Sequence, residues 1–486
     1  MDGRIFRMRT LGGRSGAART LLLVGLAFSI IPNGSVSPPY MYLGQIALGL
    51  TLIPALCLPI RRHETRLLVR IALILLGALS LYTGLQAVPQ PPGGLAHATW
   101  ATVGEIIAIP NGYLSINPWR SLDALPRMLL PALVFIGALL LSQEDKPAKR
   151  LWVQLSALGG VVLALSIILE AIFQDTMFFS AHPAGYGTFS GVFVNRNVAA
   201  SFFSITAFAL LGAIAIYRAD RASGAKASNL AGFPHLALLM GLALFACVIA
   251  IVLTRSRAGS LLSLPLLSFG LVFVFIPPLD NARKRANPLM ILGVMAGITT
   301  LFFLALFGEP VLSRVETAHE GGRQCAYIGS LEAIRDNPVL GTGLGTFRDI
   351  FPAYRDPECM GTRGSWLQAH NSFLEFYLAV GLLALIVLAV AYHFILRTAI
   401  GGLHRRGRLR PLPFIVLALL LFVSLHSMVD FPLQIPGVAH YFAALLGTGM
   451  GLSLTPVSHH RHPPRRRTRP RGDENRKSSR RKENPT

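Results

Sequence analysis

The sequence predicts an all-α, polytopic integral membrane protein with about 12 transmembrane helices. Three observations carry that prediction. Hydrophobic residues make up 52% of the 486-residue chain and charged residues only 14%, against about 25% charged in a soluble chain. Apolar runs long enough to cross about 30 Å of hydrocarbon return from Leu21 to Leu452. These runs are continuous rather than alternating apolar and polar, which excludes a β-barrel. The same composition excludes a soluble enzyme, a disordered chain and a disulfide scaffold.

Taken in order, residues 1–19 form a basic cytoplasmic N-terminus, with Arg4, Arg7, Arg9, Arg14 and Arg19 ahead of the first apolar run. No small-residue cleavage site follows that run, so it reads as a signal anchor. The transmembrane domain covers 20–454. Its spans are expected near 20–36, 40–60, 67–87, 125–142, 151–173, 192–217, 234–254, 260–278, 288–308, 373–396, 412–429 and 437–454. The first ends at Pro32-Asn33-Gly34, and the eleventh can break near Pro432. The tail, 455–486, is rich in Arg, Lys, Pro and Ser, and cannot bury a core. It is expected to be disordered and to contact anionic headgroups of membrane lipids.

The net charge of +22 raises nucleic acid as a partner. Its location argues for none. About a quarter of the Lys and Arg lie in the tail, and most others sit in short loops, which fits membrane topology. With the N-terminus inside, the inside loops carry Arg61 to Arg66, Lys146 to Arg150, Arg218 to Lys226, Arg283 to Arg285 and Arg405 to Arg410. About three quarters of the basic residues then fall on one side, as the positive-inside rule requires. An even number of spans puts both termini there.

Two outside segments are long, 88–124 and 309–372. The first ends in an apolar stretch from Trp100 to Trp119 suited to the interface. The second, ahead of the tenth span, is the largest soluble piece and too long for a mere connector. It holds Cys325 and Cys359. Outside is oxidising, so these two are expected to pair, closing a loop worth about 3 kcal/mol. Two unpaired thiols are the alternative.

Outside arginines are few, which makes them informative. Arg255 and Arg257 occupy a very short turn, Thr254 to Ser260, between two spans. Guanidinium groups at this depth want a phosphate, a carboxylate or water. They either bind an anion, helped by the following helix N-terminus, or snorkel to headgroups. Arg196 lies between Asn195 and Asn197 at the outer end of another span, where either Asn can simply cap the helix. Arg323 precedes a Gly341-Thr342-Gly343-Leu344-Gly345 run whose amides can approach an anion. His370 stands where the large loop enters the tenth span, followed by Asn371 and Glu375, one turn apart. It can handle a proton near neutral pH, or only cap the helix. Asp430, four residues after His426, is a rare acid near membrane depth, and an arginine partner is its default reading. No HExxH, paired CxxC or outer acidic cluster suggests a metal, and no cofactor is expected.

Together these stretches resemble the O-antigen ligase and polymerase family of bacterial inner-membrane glycosyltransferases. The matching segments are Gly191 to Asn197, Thr254 to Gly259, Asn337 to Phe347, Ala369 to Glu375 with Gly381, and His426 to Pro436. They cover most of the chain from about 150 to 454 and keep the family order. The resemblance implies a fold like the GT-C-type membrane glycosyltransferases. It also implies metal-independent, inverting transfer of a glycan from undecaprenyl diphosphate at the periplasmic face. The acceptor is lipid A–core for a ligase and the next repeat unit for a polymerase. By the same resemblance His370 is the catalytic base, and Arg255, Arg257, Arg323 and Arg196 hold the donor diphosphate. Asn371, Glu375, Asp430 and Asn197 support them. The chain departs from the family in placing Gln324-Cys325 where an aromatic residue often follows the loop arginine. A lipid-glycan transporter is the competing class, but it would place its charges at the midplane rather than along one face.

Overall fold

A computed structural model describes residues 2–107, 112–173, 176–177, 180–181, 188–223, 234–275, 319–359, 362 and 364–455. The described residues are mostly helical. The long helices are α1 (Asp2–Ile30), α2 (Pro38–Leu56), α3 (His63–Gln86), α5 (Pro118–Leu141), α6 (Asp145–Ile172), α7 (Arg196–Ala222), α8 (Pro234–Leu253), α9 (Arg257–Phe275), α10 (His319–Asp336), α13 (Leu382–Arg405), α14 (Pro411–Ser427) and α15 (Pro436–Leu454). Short helices are α4 (Thr99–Ile107), α11 (Phe347–Ile350) and α12 (Ser372–Val380). The only extended elements among the described residues are a hairpin of two-residue strands, Thr176–Met177 with Ser180–Ala181, and a single bridge, Pro89 to Tyr113.

Ten helices among the described residues are long and apolar enough to cross a membrane, and they match ten of the twelve expected spans. The first expected span instead forms the end of α1 and stops at a tight turn over Asn33–Ser35. The ninth, 288–308, and the tail from 456 lie outside the described residues. The tenth needs correction. Residues 373–396 are not one helix, because the chain breaks at Gly381. Gly381 has φ +58, and any Cβ there would run into the carbonyl of Val339. Only glycine tolerates both conditions. The membrane-crossing helix therefore begins at Leu382, and α12 belongs to the outer layer.

Two helices form the centre. In α7 and in α15, 94% of the apolar window is buried inside the protein. Helix α15 packs against α1, α5, α6, α13 and α14, while α7 packs against α6, α8, α9 and α14. Small residues allow this crowding. Gly447 lies so close to the backbone carbonyl of Phe135 that no side chain fits, and Gly449 meets Val416 and Trp152. Between the two helices sits a buried aromatic group: the Phe193 and Phe202 rings lie 4.9 Å apart, and Phe202 and Tyr441 lie 5.0 Å apart. Peripheral helices turn apolar side chains outward, such as Ile46 and Leu50 of α2, Ile74 and Leu81 of α3, and Leu242 and Phe245 of α8. An apolar belt of this size in a helical bundle is the surface lipid covers.

The two ends differ in chemistry. At one end Lys149 pairs with Asp220 at 2.8 Å and Asp145 at 3.0 Å, Arg406 with Asp145, and Arg61 with Glu144. Arg406 and Arg62 donate to the carbonyls of Thr455 and Leu454, completing the C-terminus of α15. At the other end a small second core joins Ala326, Phe347, Ile350, Phe351, Ala369 and Leu378. It holds α10 against α12 above the bundle. Helix α7 runs from that layer, at Arg196, to the ion-paired end, at Arg221.

Candidate active site

The site assembles where α7 begins, α14 has just ended, and the large loop returns to the bundle. Asn195 caps α7, its side chain accepting from the Asn197 amide at 2.7 Å. That frees Asn197 to donate 2.6 Å to Oδ2 of Asp430. The two asparagines thus divide the roles that the sequence left open. Asp430 follows α14 and is 2% exposed. Its Oδ1 accepts from the Phe431 amide at 2.8 Å, and Arg323 of α10 reaches Oδ2 at 3.4 Å. Arg323 also touches the Val429 carbonyl. Burial raises the Asp430 carboxyl, and Arg323, the amide of Phe431, Asn197 and Arg196 pull it back. A buried carboxylate needs such partners.

His370 completes the group. Its Nδ1 lies 3.8 Å from Oδ1 of Asp430, too far for a hydrogen bond. Nδ1 is buried and has no hydrogen-bond partner among the described residues. The ring sits edge-on between Trp366, at 5.4 Å, and Phe431, at 4.8 Å. Desolvation, and then the charge of Arg323, lower His370 to about 4, so it is neutral at ordinary pH. Five non-glycine residues among those described have positive φ, and both Arg255 and His370 are among them. Left-handed backbone at a bulky residue costs energy and recurs at functional sites.

The surroundings explain how that conformation is held. Tyr327, one turn beyond Arg323, donates to the His370 carbonyl at 3.0 Å. Glu375 accepts from the Ala369 amide at 2.9 Å and is raised by burial to about 7. Asn371 caps α12, accepting from the amides of Phe373 and Leu374. Asn371 therefore does the capping that the sequence allowed for His370, and Glu375 braces the loop segment before it. Ser372 donates to the Asp430 carbonyl at 3.3 Å. Cys325 and Cys359 are joined as a disulfide, with Cα atoms 6.4 Å apart, which ties α10 to the loop leading to His370.

The remaining candidates fall nearby or elsewhere. Arg196 opens α7 and acts on Asp430 electrostatically. Ser256 receives the Gly259 amide at 3.3 Å and so starts α9. Gly259 rests against Ala200, one turn along α7 from Asn197, so the Arg255–Arg257 turn lies at the same end of the bundle. Arg255 is exposed and Arg257 half-buried. The first part of the glycine run braces its neighbours. The amides of Thr342 and Gly343 donate to Leu378 and Ala379, and Tyr82 and Gln86 of α3 donate to the Leu340 carbonyl. Among the described residues, no three His, Cys, Asp or Glu groups are placed to share a metal ion.

Sequence reading missed Tyr327, Trp366 and Phe431. Tyr327 had a usable signal, since it is four residues from Arg323 and so on the same helical face. It supplies, one turn later, an aromatic residue on the loop arginine's own face. The two ring neighbours carried no pattern of their own.

The fold and site define a polytopic helical membrane protein with a polar, histidine-containing cluster at one end. A family model described as O-antigen ligase matches residues 242–389, from within α8 to within α13. That match supports assigning the chain to the O-antigen ligase and polymerase family. It includes Arg255, Arg257, Arg323 and His370, and stops short of Asn197 and Asp430 at either side. No curated protein matches the chain.

Proposed function

We propose that this protein is a glycosyltransferase of the O-antigen ligase type, moving a glycan from undecaprenyl diphosphate to lipid A–core. The carrying observation is His370, in left-handed backbone, held 3.8 Å from a buried carboxylate, with Arg323 beside it. An acceptor hydroxyl attacks the anomeric carbon. The bond from that carbon to the diphosphate oxygen breaks, and its electron pair leaves with undecaprenyl diphosphate. The hydroxyl proton passes to His370, and Asp430 offsets the charge that forms on the ring. One displacement inverts the anomeric centre. Arg323 and Arg196, with Arg255 and Arg257, neutralise the leaving diphosphate in place of a metal ion.

The site end of α7 lies opposite the end rich in basic loops, which supports a periplasmic site in an inner membrane with both termini cytoplasmic. The polymerase reading shares donor and chemistry and differs only in acceptor. A transporter is disfavoured because the charged cluster is gathered at one end rather than at the midplane.

Cells lacking the protein provide the test. Long carrier-linked polymer with bare lipid A–core supports a ligase. Single repeat units on both carrier and core support a polymerase, and an unchanged lipopolysaccharide pattern sinks both. Restoring the gene with His370→Ala should leave transfer about 10²–10⁴-fold down at normal protein level.

A further inference from the structure

Beneath Asp430 lies a second histidine that the proposed reaction does not use. His426, in the last turn of α14, is fully buried. Its Nδ1 lies 2.9 Å from Oγ of Ser201 on α7. Ser201 in turn donates to the Asn197 carbonyl at 2.9 Å. Asn197 donates to Oδ2 of Asp430 at 2.6 Å, and the Asp430 amide donates back to the His426 carbonyl at 2.9 Å. The four residues close a ring that joins the start of α7 to the end of α14.

The hydrogen-bond supply fixes the direction of that ring. Ser201 has one proton. If it went to His426, the imidazole would carry its own proton on Nε2, which is buried and has no partner among the described residues. Stranding a buried N–H donor costs more than stranding a lone pair. Nδ1 therefore carries the proton and donates to Ser201, whose hydroxyl is left for Asn197.

We infer that His426 is a positioning residue that, through Ser201 and Asn197, sets the Asp430 carboxylate against His370. Asp430 is gripped twice by the ring, its side chain by Asn197 and its amide by the carbonyl of His426. A slip between α7 and α14 would move Oδ2 away from the Asn197 amide and turn Oδ1 from His370. His426 and Ser201 are both buried beneath Asp430, so losing the ring should slow the chemical step and leave donor binding alone. The inference rests on the glycosyltransferase reading above.

The test uses membranes containing the full chain, supplied with carrier-linked glycan and lipid A–core extracted from cells lacking it. His426→Phe keeps the ring and removes its donor, whereas His426→Asn keeps a donor near the position of Nδ1. Ser201→Ala removes the middle link with little change in volume. The Phe and Ala variants should lose about tenfold or more in kcat, with KM for the carrier-linked glycan within about twofold of wild type. His426→Asn should recover to within about threefold, and the double variant Ser201→Ala with His426→Phe should fall no further than the worse single one. Wild-type kcat in Ser201→Ala, or additive losses in the double variant, would overturn the inference. If the Phe variant does not accumulate, Ser201→Ala decides alone. His370→Ala assayed alongside separates the two ideas: if it is fully active the reaction itself is misassigned, and if it is dead while Ser201→Ala is normal, only the ring fails.

Discussion

Replacing Asp430 with asparagine removes one negative charge and almost no volume. The substituted amide keeps an oxygen for the Asn197 donor, 2.6 Å from the present Oδ2, and turns its NH2 toward the Phe431 amide that Oδ1 now accepts, a loss of about 1–3 kcal/mol that folding should survive. What changes is the support for a proton on His370. Two unit charges 3.8 Å apart interact by about 4 kcal/mol at an effective dielectric of about 20. Arg323, 3.4 Å from the other carboxylate oxygen, cancels part of that attraction. A loss of about 2–3 kcal/mol remains, which slows a step that protonates His370 by about 30- to 150-fold. The assay is transfer of carrier-linked glycan by membranes normalised to protein level. Asp430→Ala is the contrast, because it strands the Asn197 donor as well as that of Phe431. Breaking a buried charged group's network costs about 3–5 kcal/mol, so that variant should accumulate poorly. Asp430→Asn with wild-type transfer at wild-type level would refute the idea that this carboxylate acts on His370.

Three further outcomes are expected. His370 titrates near 4 in the folded protein against 6.5 in its unperturbed state. Transfer should therefore show no loss as pH falls through 6.5 and should fall only as pH approaches 4; the folded state loses stability over that same window, because the unfolded chain takes up the proton first. A pH–rate profile with its acid limb near 6.5 would contradict this. Replacing Cys325 and Cys359 with serine removes a closed loop of sequence separation 34, worth about 3–4 kcal/mol. Thermal unfolding should occur at a lower temperature, and proteolysis between α11 and His370 should quicken, with transfer reduced rather than abolished. Arg255→Ala combined with Arg257→Ala should raise KM for the carrier-linked glycan by about tenfold or more; an unchanged KM would assign both arginines to headgroups.

The spans were legible because lipid demands continuous apolar runs, and a run of that length has few other meanings. The break at Gly381 was not, since apolar residues continue on both sides of it and only the approach of Val339 from the loop forces the bend. Among site residues, Asp430 stood out as an acid near membrane depth, where it needs a reason to be present, Asn197 stood at the outer end of a span, and Arg323 and His370 stood out in the outer loop through the family resemblance. Their mutual placement was hidden. Asn197 and Asp430 are separated by 233 positions, and no local period links them. Asn195 and Asn197 looked equivalent in sequence, and only the cap geometry told them apart. The glycine run was ambiguous, because a turn that serves a neighbouring helix and one that cradles an anion share the same residues.

Helix α15 has the lowest mean hydropathy of the ten membrane-length helices, yet it is one of the two most enclosed. A helix surrounded by protein has no need of an oily exterior, and one carrying Gly437, Gly447, Gly449, Gly451 and the buried His440 gains little from lipid alone. Its stability in the bilayer is therefore borrowed from α5, α6 and α14. During biogenesis such a segment is poorly suited to leave the translocon by itself and should need those neighbours already in place. Substitutions in α5 that spoil its contact with α15 are then expected to appear as topology errors, with the late helix left outside the bundle, before any catalytic residue has been disturbed.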